Sequence, residues 1–226
     1  MSSLSSMSFQ LSEQSTAAIE ASERIHGALA GDIRDLVDVA IRTRVDPDRV
    51  AEASELIRRA TQVLSEEAED GPAGVHFNTE GRSWNWGNAV VGIRNAIAPP
   101  VVLQWGDDGI VRSEVDLGVA YEGPPGCVHG GVSALVLDHL MGETASAAHT
   151  RLTVTGTLTL RYERPLPLGR VRMQAQITEE VGRKVTVTAQ ISSVDNDLPA
   201  VTAHGLFIVP SWAIESSVPA DIGSLD

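Results

Sequence analysis

The residues in this chain best suited to chemistry lie between positions 124 and 138. Pro124-Pro125-Gly126-Cys127-Val128 leads into His129-Gly130-Gly131, and the first acidic residue after that is Asp138. From Val132 to Ala148 the only charged residues are Asp138 and Glu143, and no Pro interrupts the run. Such a run reads as a helix that is apolar nearly all round, and therefore buried. If it extends from Gly130 to Ala148 it is roughly 28 Å long, enough to cross a small domain. The two glycines of its first turn leave the unpaired N–H groups of the helix end open to close approach. A helix end of that kind attracts negative charge, including charge that develops on a reacting carbonyl. Asp138 has two readings. It is either a buried carboxylate satisfied by hydroxyls such as Ser133 or Thr144, or a general base or nucleophile held near an anion-stabilising helix end.

The elements that must hold this helix are strands. Val111, Ser113, Val115 and Leu117 alternate with Arg112, Glu114 and Asp116, so this strand buries one face. After the helix come four more alternating runs: Leu152 to Tyr162, Val171 to Ile177, Val185 to Ile191 and Val201 to Val209. Short connections such as Pro167-Leu168-Gly169 and Glu180-Val181-Gly182 suit antiparallel neighbours. A sheet wrapped around one long apolar helix is an α+β arrangement.

His129-Gly130-Gly131, with an acidic residue nine positions after the His (138 − 129 = 9), resembles the hotdog-fold acyl-CoA thioesterases of the phenylacetic-acid-pathway (PaaI-like) type. Arg161-Tyr162-Glu163-Arg164-Pro165 and Val181-Gly182-Arg183-Lys184 are similar to later segments of that family, in the same order. The resemblance covers about Pro99 to Pro210. It implies a hotdog fold and hydrolysis of an acyl-CoA thioester, with CoA as part of the substrate and neither a separate cofactor nor a metal. The thioester carbonyl would face the Gly130 N–H, helped by Gly131, and His129 would orient that turn or polarise the carbonyl. Asp138 would activate a water or attack directly, with Thr155 beside it; Thr153 and Thr157 are the alternatives on that strand. Arg183 and Lys184 would meet the CoA phosphates, or form an ordinary basic turn. Two rival readings are hydration or dehydration of an acyl thioester, and a non-catalytic acyl-CoA-binding module.

Composition excludes several other classes. Seventeen basic against 30 acidic residues give a net charge of −13, which argues against nucleic acid as a partner. No apolar run reaches membrane-spanning length, and the first twenty residues lack a secretory pattern, so the cytosol is the default. Cys127 is the only cysteine, which excludes an internal disulfide; it reads as a small turn residue rather than a nucleophile. Gly87 to Ile93 has P-loop glycine spacing but no Lys, and Gly131 to Leu135 lacks the second Gly of a nucleophile elbow. The six histidines include no pair at helical metal-ligand spacing, and His204 reads as structural.

Residues 1–70 are expected to form a helical extension, 71–212 the hotdog domain with its core at about 99–210, and 213–226 a loose tail. The first 13 residues are expected to fray. Ile33, Leu36, Val37, Ala40 and Ile41 mark one helix face, and Asp46-Pro47 opens a second helix with Val50, Ala53, Leu56, Ile57, Ala60 and Leu64 on one side. Residues 1–70 hold 14 acidic and 7 basic side chains, about half the net charge. These helices are expected to lie on the main domain with their acidic face in water, a partner-docking arm being the alternative. Trp84 and Trp86 are either core or one wall of an acyl tunnel.

Helix geometry adds a constraint on assembly. In one straight helix Gly130 and Asp138 are about 12 Å apart along the axis. Both must lie near one carbonyl, so a second copy is expected to supply one of them, as in hotdog relatives: a homodimer or a dimer of dimers.

Overall fold

The computed structural model describes residues 9–211 and 213, apart from 149. A short strand β1 (Phe9–Ser12) is followed by two helices, α1 (Thr16–Arg42) and α2 (Pro47–Ser65). Strands β2 (Val75–Asn78), β3 (Ser83–Trp84), β4 (Gln104–Trp105) and β5 (Ile110–Leu117) then precede the apolar helix α3 (Gly130–Ser146). Four strands complete the chain: β6 (Val154–Tyr162), β7 (Gly169–Val181), β8 (Lys184–Ser193) and β9 (Val201–Ile208).

The main sheet has the order β4-β5-β7-β8-β9-β6 and is antiparallel throughout. It wraps α3, which packs against β5 through β9 and gives the hotdog arrangement. Val136, Leu137, Leu140, Met141 and Ala145 of α3 are fully buried against inward residues such as Val115, Met173, Val187, Ile191 and Phe207. The alternation read from the sequence explains why: β5 buries Val111, Ser113, Val115 and Leu117 and exposes the residues between them in part or in full. Where α3 crosses β9, Gly205 leaves room that no other residue could. A Cβ there would stand 2.7 Å from the Phe207 ring and 2.9 Å from Met141 Cε.

At the N-terminal end several expectations change. Residues 9–12 do not fray, because β1 pairs in parallel with β2, and β2 pairs with β3. That small sheet bridges the division expected at residue 70. The expected Asp46 cap is present, its side chain accepting from Arg49 N–H at 3.0 Å. α1 buries only Ile19, Glu23 and Ala30, none of them in the stretch after Ala30. α2 buries none of its residues, so it does not lie on the main domain as expected. Its apolar side is open, with Leu56 64% exposed, and so is the Leu36 and Ile41 side of α1. The tail expected from 213 onward lies outside the described residues, Ala213 apart.

α3 ends on Ala147 at φ 50°, a left-handed conformation in which a Cβ is strained by about 1–2 kcal/mol. Ala147→Gly is therefore expected to stabilise the fold by about 0.5–1 kcal/mol, raising the melting temperature by roughly 1–4 °C at this chain length. Thermal melts of the two proteins at one concentration check it; a lower melting temperature would show that the strain is not there.

Candidate active site

The start of α3 is built from its cap. His129 is the N-cap, and its Nδ1 accepts from the Gly131 N–H at 3.0 Å. A ring nitrogen that accepts carries no proton, so in the neutral imidazole the proton is on Nε2. The His129 N–H donates to the Tyr121 carbonyl at 2.9 Å, and Gly123 lets the chain pass: a Cβ there would stand 2.7 Å from His129 Cα. The expectation for Gly131 changes, since its N–H is already taken by the His129 ring. Among the described residues nothing accepts from the Gly130 N–H.

Tyr162 was not singled out from the sequence, and it completes this end. Its hydroxyl donates to the Gly130 carbonyl at 2.9 Å, and its ring lies where a Gly130 side chain would be, 3.1 Å from the position of a Cβ. The signal was present in Arg161-Tyr162-Glu163, read only as strand and as part of the resemblance. Cys127 forms a turn, its N–H donating to Pro124 C=O and its carbonyl accepting from Gly123.

Two turns along α3, Asp138 is half-buried and Oδ1 accepts from Thr155 Oγ1 at 3.0 Å. Thr155 reaches it because β6 is irregular. Leu158, Leu160 and Tyr162 face inward, and simple alternation would put Thr155 on the opposite side with Thr157 and Thr159. The register against β9 shifts between Thr155 and Thr157, so Gly156 forms a bulge and the side-chain phase changes there. Thr153 instead donates a long 3.4 Å bond to Gly142 C=O. Asp138 and Thr155 line a pocket of about 220 Å³ with Gly142, Glu143, Arg151 and Thr153. Arg151 borders this pocket; its Nε donates to Ala145 C=O and its guanidinium forks onto Glu180, both bonds 2.9 Å.

Arg183 and Lys184 lie at the β7–β8 turn. Arg183 Nη1 donates to Val209 C=O at 3.2 Å, and Lys184 stands opposite Ile208, which in turn stands opposite Val154. This basic turn is thus level with the Thr155 end of β6, two strand spacings or roughly 10 Å away. The structure brings Asp138 and Thr155 together, and His129 with Gly130 and Gly131. It does not bring the two groups to each other, since one unbroken helix separates them. His204 is exposed on the outer face of β9. Among the described residues no group of three His, Cys, Asp or Glu side chains could hold a metal ion.

Glu143 is the other carboxylate of the pocket. Burial raises its carboxyl to about 7, from 4.5 for the exposed group. The folded state therefore holds the proton more tightly than the unfolded chain. This stability is fully present below 4.5 and is lost as pH rises to about 7. Glu143→Gln is expected to remove that loss, so that denaturant midpoints at pH 5 and pH 8 converge; a slope as steep as in the native protein would mean the group titrates normally.

Residues 125–200 match the thioesterase superfamily. Among curated proteins, the chain is similar to the acyl-coenzyme A thioesterase THEM4 of Xenopus laevis, 40% identical over 89 residues, 38% of this chain and 39% of that one. The Mus musculus THEM4 is 34% identical over 92 residues, 40% of this chain and 39% of that one. The chain thus spans about two fifths of the length of these relatives. A crystallised thioesterase superfamily protein superposes with a TM-score of 0.70 at 32% identity, covering 88% of this chain and 94% of the other. No described helix is long and apolar enough to cross a membrane.

Proposed function

The chain belongs to the thioesterase superfamily, and on that premise we propose that it hydrolyses acyl-CoA thioesters to a free acid and CoA. The observation that carries this reading is the Asp138–Thr155 pair set in a pocket, together with a helix end whose cap leaves the Gly130 N–H without an acceptor among the described residues. The Thr155 hydroxyl donates to one Asp138 oxygen and so orients the other toward the reacting centre. The carbonyl oxygen accepts from Gly130, whose peptide is held by the Tyr162 hydroxyl. Asp138 either takes a proton from the attacking water or attacks to form an anhydride; in both routes the C–S bond breaks and CoA leaves as thiolate. His129 holds the turn through Gly131, and Arg183 and Lys184 offer charge to the CoA phosphates. The reaction needs neither a metal nor a separate cofactor. The similarity to proteins named acyl-coenzyme A thioesterase supports the substrate class, and the acidic surface and lone cysteine fit a cytosolic enzyme without a nucleic-acid partner.

The complete site belongs to two copies in this proposal. Gly130 and Asp138 are eight residues apart in one continuous helix, about 12 Å along its axis. The support lies in what one copy leaves uncovered. On α3, Gly131 and Leu135 are exposed and Asp138, His139 and Gly142 half-exposed, and beside them β6 is a free edge of the sheet. A two-fold axis there sets each Gly130 against the other copy's Asp138.

A panel of acyl-CoAs with a thiol reagent tests the activity: CoA release well above background supports hydrolysis, whereas binding without release supports an acyl-CoA-binding module and water addition a hydratase. Asp138→Asn should lower kcat by about a thousandfold, the scale of a lost general base, and Thr155→Ala by about tenfold. A loss of only a few-fold in the first would make Asp138 structural.

For the shared site, Asp138→Asn and Gly130→Pro are unfolded and refolded together. Half the dimers are then mixed and each regains one intact site, about a quarter of wild-type activity. Heterodimers that form and stay inactive would sink the two-copy site.

A further inference from the structure

A second cavity, of about 200 Å³, lies between α1 and the segment from Arg82 to Val102, and it shares no lining residue with the Asp138 pocket. Its walls are mostly apolar, with Trp84, Trp86, Val91, Ile93 and Val101 facing Gly27 of α1. Its polar end is already neutralised. The Glu23 carboxylate accepts from Arg82 Nη2 and from Trp86 Nε1, each at 3.0 Å. Arg34 ties α1 to the other wall, its Nε donating to Ala98 C=O at 3.1 Å.

Gly27 stands in the interior of a 27-residue helix, where glycine costs about 1 kcal/mol relative to Ala. Its missing side chain lets α1 approach the Ile93 wall closely: a Cβ there would stand 3.1 Å from Ile93 Cγ1.

One residue links this cavity to the start of α3. Tyr121 donates from its hydroxyl to Ile97 C=O at 3.0 Å, and its own carbonyl accepts from His129 N–H at 2.9 Å. A single tyrosine thus ties Ile97, two residues before the lining Pro99, to the residue before Gly130. Val91 of the cavity wall, Tyr121, and Val132 of the first turn of α3 all pack against the same hydrophobic core. α1 and the cavity walls lie outside residues 125–200, the stretch that matches the superfamily.

We propose that the cavity beneath α1 binds the acyl chain of the substrate, an aliphatic chain of medium length whose carbonyl lies at Gly130. This rests on the thioesterase reading above. Chain-length preference then resides in Gly27, Val91 and Ile93. Filling the cavity from either wall must penalise long chains selectively.

The test compares wild type with Gly27→Leu, which adds a good helix former on the α1 side, and Val91→Phe, which fills from the opposite wall. The ratio of kcat/KM for octanoyl-CoA to that for acetyl-CoA should fall about tenfold in each variant, as keeping two methylenes in water would cost. An unchanged ratio in both variants overturns the proposal. Binding is read separately in the Asp138→Asn protein, from the fluorescence of Trp84 and Trp86. Octanoyl-CoA should bind more tightly than CoA, and adding Gly27→Leu should erase the difference. If wild type releases CoA from no thioester the hydrolase reading falls, and the binding arm alone decides: equal affinity for CoA and octanoyl-CoA removes the acyl site as well.

Discussion

A helix with apolar residues on nearly every side cannot rest on a surface, so it must be enclosed. α3 carries Val136, Leu137, Leu140 and Met141 with no exposed surface, each contributing about 1.5–3 kcal/mol by its burial. The curvature and strand order of the main sheet follow from that demand. β5, β7, β8 and β9 present their inward residues to it, and Gly205 removes the one side chain that would hold β9 away from Met141. The same enclosure places a carboxylate at a fixed depth. Asp138 rides on a helix that cannot rotate without exposing its neighbours, and Thr155 meets it at a fixed position on β6.

Enclosure stops short on one side, and the candidate chemistry sits there. The side of α3 that carries Gly131 and Leu135 is exposed, Asp138 and Gly142 on it are half-exposed, and β6 next to it is an edge of the sheet among the described residues. Natural proteins rarely leave such an edge beside apolar surface without covering it. The proposed second copy would cover both at once and bring a helix start to a carboxylate. Folding economy and catalytic geometry thus ask for the same neighbour.

The N-terminal layer follows different physics. Its contact with the domain runs through a half-exposed to buried polar cluster: the Glu23 carboxylate meets Arg82 and the Trp86 indole, while Arg94 lies 3.5 Å over the Trp86 ring. An ion pair held at low exposure fixes position more than it adds stability, because desolvation offsets most of the attraction. Beyond Ala30 no residue of α1 is buried, although Arg34 still bonds the Ala98 carbonyl, and α2 keeps its apolar side in water.

Local rules account for what the sequence determined. Absence of Pro and lack of polarity predict α3, alternation predicts the buried face of β5 and of β7 to β9, and Asp46-Pro47 predicts the start of α2. The pitch of a helix already separates Gly130 from Asp138 before any fold is known. What only the tertiary structure decided depends on partners far along the chain. Alternation assigns Thr155 to the wrong face, because a bulge at Gly156 is visible only against β9. Tyr162 meets Gly130 across 32 residues, and Glu23 meets Trp86 across 63. The exposed side of α2 has the periodicity of a packed helix, yet no residue of it is buried by the described residues. Periodicity records which face of an element is apolar; what that face meets is set by long-range packing, which no local pattern contains.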